Sequence, residues 1–342
     1  MRRTLLHSIA AASCLLAVSS LNAARRPRYG GTLRIEVSNA IRSLDATDAP
    51  ADPLDAALKE NLLREIGPFR VTAMEPMKSV VLDANESAPS GRPYLDRIEI
   101  YMGRSVRDQA LDFELGKADV MELPLADLRR AQQQGVRTGV SRPCLAIALT
   151  VAGSRDLDRV RQALALAIDR PAIHNVLLQK QGEVSGALLP QWLSGYAFLF
   201  PTARDLGKAR ALAASAASSP LSFAWDKQNP LLRPIAERIV VNAAEAGITL
   251  RPATGPQADV RLVMLRIASD DPAEALRLLG GKPVADSSKM YDAERDLIDS
   301  RHLVPLFQLP VVYGLAPTVN AWTTGPTGNW RLEDVWLESP KP

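Results

Sequence analysis

Arg161-Gln162-Ala163-Leu164-Ala165-Leu166-Ala167-Ile168-Asp169-Arg170 is the stretch from which the rest of the chain can be read. With Leu157 and Val160 ahead of it, Leu164 and Ile168 fall on one side at intervals of three and four. That is the spacing of a helix with one buried face. Asp169 then ends one helix and caps another, with Pro171 in the new first turn, where a missing N–H costs nothing. A half-buried helix pair needs a layer to lie against, and strands on both sides of it supply one.

Upstream, Gly30 to Val37 reads as a strand and Asn39 to Ala51 as a loop. The spacing of Leu54, Leu58 and Leu62 predicts a helix from Pro53 to Arg64. Phe69-Arg70-Val71 and Ser79-Val80-Val81-Leu82 read as paired strands about a turn near Glu75-Pro76, and Tyr94 to Tyr101 alternates as a further strand. Ser105 and Asp108 have capping-box spacing for a helix that runs through Leu111 and Leu115 and stops at Gly116. Ala118 to Leu123 is a strand, and Asp127 to Gln134 a helix ended by Gly135. Downstream, helices are predicted for Ala203–Ala217 and Leu231–Ala246, the latter stopped by Gly247 before the strand Ile248-Thr249-Leu250. Val260 to Ile267 is an apolar strand, and Val304 to Tyr313 a strand interrupted by Pro305 and Pro310. The fold class is therefore α/β, with no internal repeat.

The 342 residues suffice for two domains, and 46% apolar with 23% charged residues is ordinary globular composition. Met1-Arg2-Arg3 and the apolar run from Thr4 to Leu21 read as a signal peptide over residues 1–23, cleaved after Leu21-Asn22-Ala23. Arg2-Arg3-Thr4-Leu5-Leu6 fits a twin-arginine signal and equally an ordinary basic leader. Cys14 lacks the aliphatic residue expected three positions before a lipidated cysteine, so a soluble exported product without a lipid anchor is expected. Removing the leader lowers the formal charge from +3 to +1, which gives no electrostatic reason to bind nucleic acid. Cys144 then stands alone, and no internal disulfide is expected.

Several blocks, in order, resemble the extracellular solute-binding proteins of family 5, the oligopeptide, dipeptide and nickel type. They include Tyr29-Gly30-Gly31-Thr32-Leu33, Ser43-Leu44-Asp45, Gly67-Pro68-Phe69-Arg70 and Arg92-Pro93-Tyr94-Leu95-Asp96-Arg97-Ile98. Leu115-Gly116-Lys117-Ala118-Asp119-Val120, the Ala167-Ile168-Asp169-Arg170 helix, Leu188-Leu189-Pro190, Glu245-Ala246-Gly247-Ile248 and Val304-Pro305-Leu306 continue the series. The resemblance implies a bilobal periplasmic-binding-protein fold of type II kind, two α/β lobes joined by crossover strands. Lobe one is expected over 24–153 plus 302–342 and lobe two over 154–301, with hinges near Ala152-Gly153-Ser154 and Ser300-Arg301-His302. Between Ser43-Leu44-Asp45 and Gly67-Pro68-Phe69, fuller members carry an additional small lobe; here the interval has room for one helix.

What the resemblance implies for function is capture of a peptide or similar small solute in an interlobe cleft, for a periplasmic protein, monomeric by family default, serving the permease of an ATP-binding-cassette importer. The alternative is a degenerate relative acting as a periplasmic scaffold. Asp270, in Asp270-Asp271-Pro272, matches the acidic loop that holds a peptide's amino group, although Asp271 suffices as the cap of the helix beginning at Pro272 and Ile267 replaces the family's aromatic. Trp192, Tyr196 and Trp225 fall in segments that border the cleft in relatives, and core packing is their other reading. Asn39 and Arg42 match a ligand-contacting loop that is otherwise simply solvated.

No catalytic residues, metal ligands or cofactor are expected. His174 and His302 lie in different predicted elements without metal-ligand spacing, and Cys144 has no activating base in sequence. Nucleophile-elbow, Walker and dinucleotide fingerprints are missing, and Gly280-Gly281-Lys282 follows a helix rather than opening one.

Overall fold

A computed structural model of the protein describes residues 26–338, except 46, 48–52, 66, 154, 216–218, 228 and 256. The expected leader and Ser154 of the expected first hinge lie outside the described residues. Gly30 and Gly31 open the first sheet at φ of 114° and 95°, which side chains resist. A Cβ on Gly31 would also stand 3.2 Å from Leu337 Cδ1. The Gly-Gly-Thr-Leu signature is thus a backbone requirement at a strand entrance.

The strands that follow are β1 (Thr32–Glu36), β2 (Phe69–Glu75), β3 (Ser79–Ala84), β4 (Arg97–Tyr101), β5 (Val120–Glu122) and β6 (Arg137–Val140). After them come β7 (Leu145–Val151), β8 (Glu183–Val184), β9 (Leu221–Trp225), β10 (Leu250–Pro252), β11 (Val260–Arg266), β12 (Leu303–Leu309) and β13 (Val312–Leu315). They form two mixed sheets, ordered β2-β3-β4-β1-β5-β13-β6 and β10-β9-β11-β7-β12-β8. β1 runs parallel to β4 and β5, and β9 parallel to β10 and β11, while β7 is antiparallel to both β11 and β12. Short strands β14 (Val319–Asn320), β15 (Thr323–Thr324), β16 (Trp330–Arg331) and β17 (Trp336–Leu337) close the chain. They bring Trp322, Trp330 and Val335 onto the core of the first sheet.

The helices are α1 (Pro53–Glu65), α2 (Val106–Glu114), α3 (Leu128–Gln133), α4 (Arg155–Ala167), α5 (Arg170–Val176), α6 (Gln191–Ser194), α7 (Leu206–Ala214), α8 (Leu232–Glu245), α9 (Pro272–Leu278) and α10 (Met290–Ser300). α4 buries Val160 and Leu164 as its spacing predicts, and Ile168 just past its end is buried with them. Asp169 caps α5 by accepting from Ala172 N at 3.0 Å. Arg170 is buried and donates to Pro305 O at 3.0 and 3.3 Å and to Ala165 O at 2.8 Å. Pro305 sits at a register shift in β12, so its carbonyl needs an outside donor, and Arg170 supplies it.

One expectation needs adjusting. The single interrupted strand from Val304 to Tyr313 is two strands, β12 and β13, lying in different sheets. The break falls at Pro310, which has no N–H to give a ladder. β7 and β12 both belong to the second sheet, so the chain crosses between sheets at 141–144 and again at 310–311. The two passages run side by side: Ser141 N donates to Val311 O, Val311 N to Ser141 Oγ, and Cys144 N to Leu309 O.

Candidate functional site

α1 occupies the interval between Asp45 and Gly67 and faces two ways. Leu58 and Leu62 are buried in the core of the first sheet, and Asn61 Oδ1 accepts from Trp330 N at 3.1 Å. Leu54, one turn earlier, packs against the core of the second sheet beside β11. Between Leu54 of α1, the length of β11 and the ends of β9 and β10 lies a cleft of about 540 Å³. Its walls include Leu54, Trp225, Asp226, Lys227, Arg261 and Met264. Trp225 packs on Phe223 with ring centroids 5.3 Å apart, and its Nε1 is buried without an acceptor among the described residues.

Of the six residues singled out from sequence, only Trp225 lines this cleft. Trp192 is placed at the first passage between sheets: its Nε1 donates to Pro143 O at 2.7 Å, and the Arg142 guanidinium lies 5.4 Å from its ring centroid. Tyr196 belongs to an aromatic group with Phe200 and Tyr291, at 6.4 and 5.9 Å between centroids. Burial raises its hydroxyl pKa, as does the neighbouring Glu294 carboxylate. Asn39 donates to Asp55 Oδ1 at 3.3 Å, and its own carbonyl accepts from Gly103 N, so it pins the loop after β1 to α1. Arg42 is exposed and makes no ion pair among the described residues. Asp270 is exposed as well, while Asp271 caps α9 through Glu274 N at 2.7 Å. Ile267, where the family's aromatic would stand, is fully buried.

Glu294 is the most perturbed carboxylate of this region. It is fully buried, and Oε1 accepts from Leu188 N at 2.6 Å and Leu189 N at 2.8 Å. Oε2 closes no hydrogen bond of normal geometry, although it interacts with the Tyr196 hydroxyl. Desolvation dominates and pushes its pKa up to about 7. The two amides it holds belong to the Leu188-Leu189-Pro190 segment that leads into α6 and Trp192.

His174 Nε2 meets Gly182 O at 3.1 Å, and the buried Cys144 thiol lies 3.4 Å from Ser141 Oγ, so both are engaged by nearby structure. Among the described residues no group of three or more His, Cys, Asp or Glu side chains is arranged to hold a metal ion. No described helix is long and apolar enough to cross a membrane. Lys227, Arg261, Met264 and Leu54 are among the cleft residues that sequence did not single out as site residues. The available signal was Trp225-Asp226-Lys227 at the end of a strand, visible only once Leu221–Trp225 is recognised as one.

The sequence model of the bacterial extracellular solute-binding proteins, family 5 middle, matches residues 37–277. No curated protein sequence matches the chain. Among solved structures, the oligopeptide-binding protein AppA from Bacillus subtilis, in complex with a nonapeptide, is 16% identical with a TM-score of 0.63. That match covers 83% of this chain and 70% of AppA. NikA from Staphylococcus aureus, in complex with Ni(L-His)2, is 14% identical with a TM-score of 0.67, over 79% of this chain and 68% of NikA. DppA from Helicobacter pylori, in complex with the peptide STSA, is 18% identical with a TM-score of 0.66, over 85% and 68%. At such identities these likenesses speak to the fold, and the fold is that of the bilobal binding proteins.

Proposed function

The chain belongs to the bacterial extracellular solute-binding proteins of family 5, and from that premise we propose that it is an exported substrate-binding protein of an ATP-binding-cassette importer, taking up a peptide or similar small solute. The observation that carries this reading is the cleft beside β9 and β11, walled by side chains of the second sheet's core and by Leu54 of α1, a helix whose Leu58 and Leu62 belong to the first sheet's core. Two polypeptide passages, at 141–144 and 310–311, join the sheets on which those cores rest. We read the bodies around the two sheets as lobes that close by rotation about these passages, the usual way a two-lobed binder traps a ligand. Similar structures hold a nonapeptide, a tetrapeptide and a nickel–histidine complex, so the scaffold does not itself choose the solute. Binding rather than catalysis is the role proposed, for a monomer in the periplasm that delivers its solute to a permease.

The test is thermal unfolding of the purified protein against di- to pentapeptides, amino acids, sugars and chelated nickel. A ligand at a hundredfold over its Kd adds about 2.7 kcal/mol, which raises the midpoint by several degrees. No shift across the panel, from folded and ligand-free protein, favours the second reading, a relative that keeps the fold as a periplasmic scaffold. The exposed, unengaged Asp270 and the buried Ile267 in place of an aromatic are what motivate that alternative.

A further inference from the structure

From Ser185 to Phe200 the chain carries no charged side chain, and the buried residues Ala187 to Leu189 belong to no strand. Backbone groups buried outside a ladder need other partners, and here side chains supply them. Ser185 Oγ accepts from Ala187 N at 3.0 Å, and Gln308 Nε2 of β12 donates to the Ala187 and Leu188 carbonyls. Glu294 of α10 takes the Leu188 and Leu189 amides. The loop that follows is tied to itself. Ser194 Oγ donates to Pro190 O at 3.1 Å, Gln191 Nε2 to Gly195 O at 2.9 Å, and Phe198 N to Gln191 Oε1 at 3.2 Å. Residues 190–198 are thereby one unit, held on α10 through Glu294 and Tyr196. The same unit reaches the crossing between sheets, where Trp192 Nε1 donates to Pro143 O at 2.7 Å.

Glu294 Oε1 already accepts two amides, so the proton of a neutral carboxyl belongs on Oε2, next to the Tyr196 hydroxyl. No cation faces Oε2 among the described residues. β12 has no charged residue, and Glu183, across from Gln308 in β8, is exposed. On α10 itself Asp292, Arg295, Asp296 and Asp299 are exposed, with the Arg295 guanidinium 5.7 Å from the Tyr291 ring centroid. Glu274 and Arg277 of α9 pair with each other in solvent, and Lys289 in the turn before α10 is exposed. Burial therefore acts on this carboxyl unopposed by any charge.

We propose that Glu294 is a proton-operated clamp on the 190–198 loop and, through Trp192, on the crossing at 141–144. While Oε2 carries its proton, the loop stays on α10 and Trp192 stays on Pro143 O. Loss of the proton favours a local opening in which the loop leaves α10, the carboxylate meets water and the Trp192 contact is given up. In the open form the carboxyl titrates near its ordinary 4.5, and in the shut form near 7, so opening releases a proton only between those values. The open fraction therefore grows with pH by up to about tenfold per unit across that window and levels off above it. The crossing is held firm in acid and is freer at neutral pH.

Hydrogen exchange of the unliganded protein, corrected for the intrinsic rate at each pH, reads this opening. No solute takes part, so the outcome is independent of the capture reading. Protection of residues 188–195 should fall by up to about tenfold per pH unit from about pH 5 to 7 and then level off, with 141–144 following in step. Peptides from β11, which exchange by unfolding of the second sheet's core, should stay better protected at every pH. Glu294→Gln keeps an oxygen for the two amides and should flatten the pH dependence in both places. Tyr196→Phe removes a hydrogen bond that favours the ionised carboxylate in the shut loop, so the levelling off should move to higher pH. Trp192→Phe should leave the loop's pH dependence in place and remove it from 141–144. Loop protection equal to that of β11 overturns the local opening. A slope that survives Glu294→Gln, or a levelling off that Tyr196→Phe does not move, overturns the assignment to Glu294. A pH dependence at 141–144 that survives Trp192→Phe overturns the link to the crossing.

Discussion

Arg170 keeps a charge almost wholly inside the protein and spends its donors on carbonyls rather than on a carboxylate. Burial lowers its pKa to about 10, still well above neutrality. Arg170→Met should therefore destabilise by about 2–4 kcal/mol in urea unfolding, because the Pro305 and Ala165 carbonyls lose their donors. A loss below about 0.5 kcal/mol would mean that water replaces the guanidinium. Glu294 makes the opposite case, an acid that prefers to be neutral. Its folded pKa stands near 7 against an ordinary 4.5. Between those values the folded chain binds more protons than the unfolded one, so stability falls as pH rises through that window. About 3 kcal/mol is the order of the whole effect at roughly 1.4 kcal/mol per pH unit. Glu294→Gln keeps an oxygen for Leu188 N and Leu189 N and removes the charge. Denaturation from pH 4.5 to 8 should slope downward for the native protein, and this contribution to the slope should vanish in the variant; equal slopes would place the titration elsewhere.

At the scale of elements, the two adjacent acids before α9 separate a structural role from a functional one. Asp271 satisfies Glu274 N, and Asp271→Ala should cost about 1 kcal/mol of stability. Asp270 holds nothing among the described residues, so Asp270→Ala should stay within about 0.5 kcal/mol of the native protein. If Asp270→Ala nevertheless weakens binding of a solute carrying an ammonium group, the anchor role implied by the family resemblance is recovered. The elements themselves were legible where local chemistry writes them. Asp169, Ser105 and Asp271 cap helices, and Gly116, Gly135 and Gly247 end them at positive φ; the helix expected from Ala203 begins instead at Leu206, capped by Asp205. β7 was not legible, because Leu145–Val151 is an apolar run without alternation and becomes a strand only by pairing with β11 and β12 far along the chain. The cleft suffered for the same reason. Trp225 could be picked out as an aromatic and Lys227 follows it in the chain, but Arg261 meets them only through the parallel pairing of β9 with β11.

At the scale of the whole molecule, the crossing between sheets is where the proposed lobe closure can be tested against packing. Gly328, at φ 75°, lies so close to this crossing that a Cβ would stand 2.4 Å from Val311 Cγ2 and 3.2 Å from Cys144 Sγ. Arg266 at the end of β11 donates to Thr327 O at 3.0 Å, tying the second sheet to the C-terminal segment that covers the first. Trp192 adds the contact best suited to report on closure, since it reaches from α6 to a carbonyl of the passage itself, Pro143 O. A single hydrogen bond of this kind contributes about 1 kcal/mol net, so Trp192→Phe, which keeps ring bulk over Arg142, should lower stability by no more than that. If 141–144 is a pivot, the same bond weighs differently on open and closed states, and its loss shifts their balance. A shift of about 1 kcal/mol changes solute affinity by roughly fivefold, and scattering in solution should show the unliganded radius of gyration move in step. An affinity unchanged within twofold, with an unchanged radius, would make Trp192 an ordinary packing residue and put the pivot on the Pro310 side of the crossing.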